Sequence, residues 1–319
     1  MVTNVHGFVQ DVMLTKYARL LGPSLDSFIA DDIFPSVDVA TKTGKFYNVG
    51  GGFASQSPGH DMVMADGQDA PLQISTSISK VTGWEVDQNG LGVKMNKASA
   101  EYAKGNGLDL RQANVAVLAR ECAINRERAA AALAFSTATF SGKTAALSGA
   151  DQWSNAASDP IANAQTARDT IIQNSGEAPN TCIIGYEVYS QLRQHPLILE
   201  YLSRTQSRAG ILRNEDLAAA LDVEQVYVGK AVGNTAVEGQ TESNAFIWGK
   251  FALFCKLRPS PAAMSPQSCL QRFRLQGSTD GSVRRWEPTP YVEQIDMLWN
   301  DQHAAPTTEL GYLYSTVVA

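Results

Sequence analysis

The sequence lacks most of what catalysis and metal binding require. His6, His60, His195 and His303 are scattered, and none stands at metal-ligand spacing from another. Cys122, Cys182, Cys255 and Cys269 are separated in sequence and fall mostly within apolar segments, which gives no metal-binding or disulfide pattern and points to buried free thiols. No Gly-x-Ser-x-Gly turn occurs, and no paired carboxylates mark a strand end. Gly142-Lys143-Thr144 imitates the end of a phosphate-binding loop, yet Thr137 stands where its first glycine is required. No apolar run approaches the roughly 20 residues that cross a bilayer. The N-terminus shows no basic stretch followed by an apolar one, so folding in a reducing cytoplasm is expected. Charge is also scarce: 18% of residues are charged, against roughly 25% in an average soluble protein. The formal net charge of -6 argues against a dedicated nucleic-acid binder.

What remains is a globular composition, 44% hydrophobic over 319 residues, enough for one large or two ordinary domains. The clearest succession of elements runs from Trp153 to Lys256. Asp159 can cap a helix whose first turn holds Pro160, with Ile161, Ala164, Ala167 and Ile171 on its apolar face up to about Asn174. Pro179-Asn180 turns into a short apolar strand, Thr181 to Gly185. A second helix carries Val188 and Leu192 and stops at His195-Pro196. A third, opened by Asn214-Glu215-Asp216, carries Leu217, Ala220 and Leu221. Strands at Gln225–Gly229 and Ala245–Gly249 enclose a polar loop, Gly233 to Asn244.

That order resembles the major capsid protein family of tailed bacteriophages: Trp153 followed by Asp159-Pro160, Pro179-Asn180 before a strand, His195-Pro196 after a helix, the Val226-Tyr227-Val228-Gly229 strand, then Ile247-Trp248-Gly249. The matching region is the family's A-domain, which sits at the centre of each hexamer or pentamer. The resemblance implies an α+β capsid fold with an N-terminal arm, an extended E-loop, a P-domain carrying a long spine helix, and an A-domain inserted into it.

The other segments fit those parts. Residues 1–40 hold a modest helical pattern (Val12, Tyr17, Leu20, Leu21, then Leu25, Phe28 and Ile29) and would be the arm. Residues 41–82 are rich in glycine and small polar residues, with alternation surviving at Lys45–Val49 and Leu72–Ser75. Structureless connections beyond about 12–15 residues are uncommon inside compact domains. This one reads as an extended hairpin, similar to the E-loop that lies across the adjacent subunit in the family. Residues 109–139 contain neither glycine nor proline, and Val115, Leu118, Cys122, Ala129 and Leu133 mark one helical stripe broken at Asn125-Arg126. This looks like the spine helix. Arg272–Leu275, Val283–Val292 and Tyr291–Trp299 read as strands, with Pro288 and Pro290 confining the second to an edge. On the resemblance, the alternating Leu310–Val318 is a closing strand that rejoins the A-domain. The P-domain is thus expected at residues 83–150 and 259–307, and the A-domain at 151–258 and 308–319.

Residues 1–110 carry twelve acidic and eight basic side chains, whereas residues 250–285 carry seven basic ones against Asp280 alone. If the arm and E-loop of one subunit drape over the P-domain of the next, these regions meet. Opposed charges across an interface set register and encounter rate more than affinity. Phe46, Tyr47, Phe53, Asp61, Asp66, Asp69, Arg284 and Arg285 are the expected subunit-interface residues. Lys42 and Lys45 read as ordinary surface lysines and not as cross-linking groups.

The function expected from the resemblance is structural: a major capsid subunit that assembles in the host cytoplasm into hexamers and pentamers of an icosahedral virion shell. The shell encloses double-stranded DNA, with no cofactor, no enzymatic step and no membrane. Expected partners are further copies of the chain, a separate scaffolding protein and a portal protein, with a decoration protein as a further candidate. An encapsulin-type nanocompartment shell is the alternative within the fold, and a cytosolic α+β enzyme the alternative outside it.

Overall fold

A computed structural model describes Leu14 and residues 27–50, 77–105, 108–206, 213–236, 240–258, 268–276 and 281–319. The first part of the chain holds α1 (Ala30–Ile33), β1 (Ser36–Val39), β2 (Thr43–Gly50), β3 (Ser77–Glu85), β4 (Gln88–Asn96), α2 (Lys97–Gly105), α3 (Leu110–Ala134) and β5 (Thr144–Ala146). Next come α4 (Pro160–Ser175), β6 (Thr181–Gly185), α5 (Tyr186–Leu192), α6 (Pro196–Gln206), α7 (Asn214–Ala220), β7 (Gln225–Gly229), β8 (Val232–Asn234), β9 (Asn244–Phe246) and β10 (Ala252–Cys255). The last stretch holds β11 (Gln271–Leu275), β12 (Ser282–Thr289), β13 (Val292–Ala304) and β14 (Gly311–Ser315), with one 3-10 turn (Thr308–Leu310) before the last.

Two sheets organise these elements. The first has the order β1-β11-β13-β12, with β4 also paired to β13. In it β1 runs parallel to β11 and the other pairs are antiparallel. The second has the order β5-β14-β10-β6-β7, parallel at each edge. Separately, β2 and β3 pair antiparallel from Thr43 opposite Glu85 to Gly50 opposite Ser77, the base of a hairpin. The tip of that hairpin, with the alternation at Leu72–Ser75, lies outside the described residues, as does the helical pattern before residue 27 apart from Leu14. Leu14 is buried with Val115, Leu118, Val283 and Ile295. Among the described residues no helix is long and apolar enough to cross a membrane.

Local chemistry explains the long helices. Asp109 accepts the N–H groups of Arg111 and Gln112 at 3.0 and 3.4 Å, which opens α3 with a cap worth about 1 kcal/mol. Asp159 does the same for α4 through Ile161 and Ala162, and Gly176, at φ 74°, closes it. In the second sheet the period of two separates two cores. Cys182, Ile184, Ala252, Phe254 and Tyr314 face α4, α5, α6 and α7. Ile183, Leu253, Cys255 and Leu313 face the C-terminal half of α3 with Phe135 and Phe140.

The structure corrects several expectations. The buried stripe of α3 runs through Val115, Leu118 and Cys122 but continues through Glu127, Ala130, Ala131 and Ala134, while Ala129 is exposed and Leu133 half-buried. The stripe turns because the helix first covers the first sheet and then packs on the second. Ile161 is likewise half-buried and outside the core. His195-Pro196 leads straight into α6, with Pro196 in its first turn. No strand spans residues 245–249: β9 stops at Phe246, and the fully buried run Ala252–Cys255 becomes the central strand instead. Residues 144–146 pair with β14 in the second sheet, and β1 is an edge strand of the first.

A single carboxylate joins the three parts. Glu127 is 1% exposed, and its Oε1 accepts the backbone N–H of Ala30 at 2.7 Å while its Oε2 accepts Trp248 Nε1 at 2.6 Å. Trp248 packs edge-on against Phe135, and a Cβ at Gly229 would strike its ring, so only glycine fits there. No Lys or Arg pairs with Glu127 among the described residues; burial pushes its pKa up, and the N–H groups of Ala30, Trp248 and Ile29 pull the other way. Removing it leaves two buried donors without an acceptor. Glu127→Ala should therefore lower the unfolding free energy by about 2–5 kcal/mol, read by urea denaturation. Glu127→Gln, which still accepts from Ala30, should cost less. An effect within about 0.5 kcal/mol would mean that the carboxylate is not the joint.

Candidate assembly surface

The first sheet is organised by acids on β13. Residues 293, 295, 297, 299 and 301 share one face by alternation, and α3 lies across it. Glu293, 1% exposed, accepts Arg111 Nε at 3.0 Å and Arg111 Nη2 at 2.9 Å, and Arg285 Nε lies 3.0 Å from it. Asp301 accepts Arg126 Nη2 at 2.7 Å and lies 3.7 Å from Arg272 Nη1. On the opposite face, Asp296 accepts Arg284 Nη2 at 2.6 Å, Trp286 Nε1 at 2.8 Å and Gln294 Nε2 at 2.6 Å. The Arg284 guanidinium lies 5.6 Å from the centre of the Trp286 ring.

The acidic front of the chain and its basic late segment do meet, but within one chain. Asp31 accepts Arg272 Nη1 at 2.6 Å, and Asp38, paired in register with Arg274, accepts that guanidinium at 2.7 and 3.1 Å. Arg258 is held by Glu177 at 2.7 Å. The basic block is therefore largely neutralised inside the subunit.

The expected interface residues fall in two places. Arg284 and Arg285 are adjacent on β12 and point to opposite faces, each already paired with an acid of β13. Phe46 and Tyr47 lie in β2, while Phe53, Asp61, Asp66 and Asp69 lie outside the described residues. The structure adds Lys94, Trp286 and Gln294, brought to the outer face by the registers Gln294 opposite Lys94 and Gln294 opposite Trp286. Lys94 is exposed and has no ion pair among the described residues, and Trp286 is half-buried. Sequence reasoning missed this face. The available signal was acids on a strand at both parities of an apolar alternation, close to a cluster of arginines.

Trp84 fixes the base of the β2–β3 hairpin. Its ring stacks on Phe273 at 5.5 Å, its Nε1 donates to Thr41 O at 3.3 Å, and it passes over Gly44, where any Cβ would collide. Beside it, Glu85 N–H donates to Gln302 Oε1 at 2.7 Å. Gly142-Lys143-Thr144 forms a turn into β5 with Gly142 at φ 77°. His195 is buried with its Nε2 3.1 Å from Asn155 O, and among the described residues no three metal-ligating side chains converge.

With this geometry in view, comparison with known proteins gives a consistent result. Residues 139–258 match the family model described as phage major capsid protein E. The major capsid protein of Pseudomonas phage JBD67 is 28% identical over 234 residues, covering 71% of each chain. A phage-related protein from Bordetella bronchiseptica RB50 superposes with a TM-score of 0.73 at 22% identity, over 97% of this chain and 98% of that one. The mature capsid of bacteriophage PhiM1 does so with a TM-score of 0.56 at 10% identity, over 91% and 87%. The fold is the α+β capsid fold.

The buried charges give the sheet a defined pH response. Burial pushes the Glu293 and Asp296 carboxyls up, but hydrogen bonds from Arg111 to the first, and from Gln294, Arg284 and Trp286 to the second, outweigh it and leave both below their ordinary values. Their stabilisation is present above the unfolded carboxylate range and is lost as pH falls through the lowered folded values. Burial also pushes His303 down to about 4, with Asp301 and Asp31 opposing and Arg126 and Arg272 assisting. The unfolded chain takes up that proton first, so His303 costs stability between about pH 6.5 and 4. Glu127, shifted upward, works in the opposite sense. The melting temperature should therefore fall from pH 6.5 to 4 and more steeply below. His303→Gln should flatten the upper limb only; an unchanged upper limb would remove His303 from this role.

Proposed function

We infer that this chain is a structural capsid subunit of the tailed-phage major capsid type, located in the virion shell and working by self-assembly and not by catalysis. The observation that carries this reading is the agreement of a family match, a sequence relative and whole-chain fold likeness on one kind of protein. We further assign the first sheet with α3 to the P-domain and the second sheet with α4 to α7 to the A-domain. Copies of the chain form hexamers and pentamers that close an icosahedral shell around double-stranded DNA. A scaffolding protein, a portal and a decoration protein are the partners such a shell takes.

Between copies, the hairpin tip of one subunit meets the outer face of its neighbour's first sheet. Support comes from charge: residues 51–76 hold Asp61, Asp66 and Asp69 with no Lys or Arg, while the outer face carries exposed Lys94, which has no ion pair among the described residues, beside the Arg284–Trp286 platform. Arg and Trp are the side chains that most often anchor interfaces. Phe46, Tyr47 and Phe53 supply the apolar part of the contact, while Arg285 points to the other face of the sheet, toward Glu293. Much of the subunit's stability then belongs to the assembly.

Electron microscopy and sedimentation of the purified protein should give shells or capsomers of megadalton or near-megadalton size. Trp286→Ala with Lys94→Glu should slow assembly at least about tenfold, the factor for a loss of 1.4 kcal/mol, while far-ultraviolet circular dichroism stays native. High salt should slow the parent protein as well. A compact, thermally robust monomer would overturn the assembly reading. Normal assembly of the double variant would overturn the contact alone.

A further inference from the structure

Cys255 ends β10, and Cys269 stands just before β11, so the chain between them is the passage from the second sheet to the first. Both side chains are fully buried in the cluster that also holds Phe140 and Leu313. Gly311 is the cross-strand partner of Cys255, and a Cβ placed on it would lie 2.8 Å from Cys269 Sγ. Opposed Cβ atoms of an antiparallel pair are about 4.5–5.5 Å apart. The Cys269 sulfur thus fills the space beside Cys255 that a side chain at position 311 would take. The backbone holds it there: Cys269 N–H donates to Lys256 O at 2.9 Å, and Lys256 N–H donates to Leu310 O at 3.0 Å. Cys182 faces the other side of the sheet, and Cys122 sits on α3.

We propose that Cys255 and Cys269 are a latent disulfide pair, which closes over Gly311 and locks the passage between the two sheets. The oxidant is a low-molecular-weight disulfide. One protein thiol loses its proton and attacks a sulfur of the oxidant, expelling one small thiol. The second protein thiol then loses its proton and displaces the other, forming the Cys255–Cys269 bond. Two protein thiols give up two electrons and two protons, and the oxidant leaves as two small thiols. Burial pushes the Cys255 thiol well above its ordinary pKa, so attack waits for local opening of the joint. The pair stays reduced in a reducing compartment and closes once the protein reaches an oxidising one.

The test is to incubate the purified protein with oxidised glutathione, alkylate it and map it by mass spectrometry without reductant. The expected result is a peptide linked through Cys255 and Cys269 and a loss of two of the four thiols. The melting temperature should rise on the order of 5 °C and return on adding dithiothreitol. Cys255→Ser and Cys269→Ser should each abolish both the link and the rise. Should a serine variant fail to fold, time-resolved alkylation of the parent protein serves: Cys255 and Cys269 must lose reactivity together while Cys122 and Cys182 keep theirs. Four intact thiols after oxidation in urea that opens the joint would overturn the proposal. So would glutathione retained on a single cysteine, or a bond that includes Cys122 or Cys182.

Discussion

Two consecutive residues of one helix hold this subunit together. Successive side chains on an α-helix diverge by about 100°, so Arg126 and Glu127 of α3 reach different partners. Arg126 binds Asp301 of β13 at 2.7 Å and lies 3.7 Å from Asp31. Glu127 takes the Ala30 N–H and the Trp248 indole. The first sheet, the entering segment and the second sheet are thus referred to one rigid rod. Where β1 joins the first sheet, and where the chain turns at Trp248 before β10, both follow from that pair.

The same economy governs the charges. A chain with so few of them places several inside, as acids of β13 met by arginines of α3 and β12. Buried pairs recover little net stability after desolvation. Their effect is on alternatives. A slip of β13 by one residue would turn Glu293 and Asp301 away from Arg111 and Arg126 and bring Asp296 against the apolar side of α3. Each misplaced group would then be a buried charge without its partner, so the register of the longest strand is set by penalties on every other register.

Elements whose signals are local were legible in the sequence. Asp159 and Pro160 open α4 because capping depends on three or four neighbouring residues, and Thr181–Gly185 reads as a strand because all five positions are buried. Elements whose identity depends on distant partners were not. Ala252–Cys255 becomes a strand through its pairing with β6 and β14. Glu127 was not singled out, since nothing near it in sequence announces Ala30 or Trp248. The candidate surface suffered the same way. The acid–base complementarity between the front and the late segment was visible, but only the parallel pairing of β1 with β11 decides that Asp38 meets Arg274 of its own chain. Charge counts reveal that partners exist and leave open whose they are.

With most of its arginines paired inside the chain, the proposed contact between copies relies on the geometry of the hairpin as well as on charge. The β2–β3 hairpin is clamped at its base by Trp84, Thr41, Gly44 and Gln302, so its direction of exit is set by the first sheet. The eight residues of β2 span about 25 Å at about 3.3 Å each. A tilt of a few degrees at the clamp therefore displaces the far end by an ångström or more, comparable to the tolerance of a packed contact. A rigid joint at Arg126 and Glu127 and a rigid clamp at Trp84 fix the direction in which the hairpin leaves the first sheet. On the proposed contact, in which the hairpin meets a further copy, the internal packing of one chain would become the position of the next. A closed shell needs that, because errors at each contact accumulate around it.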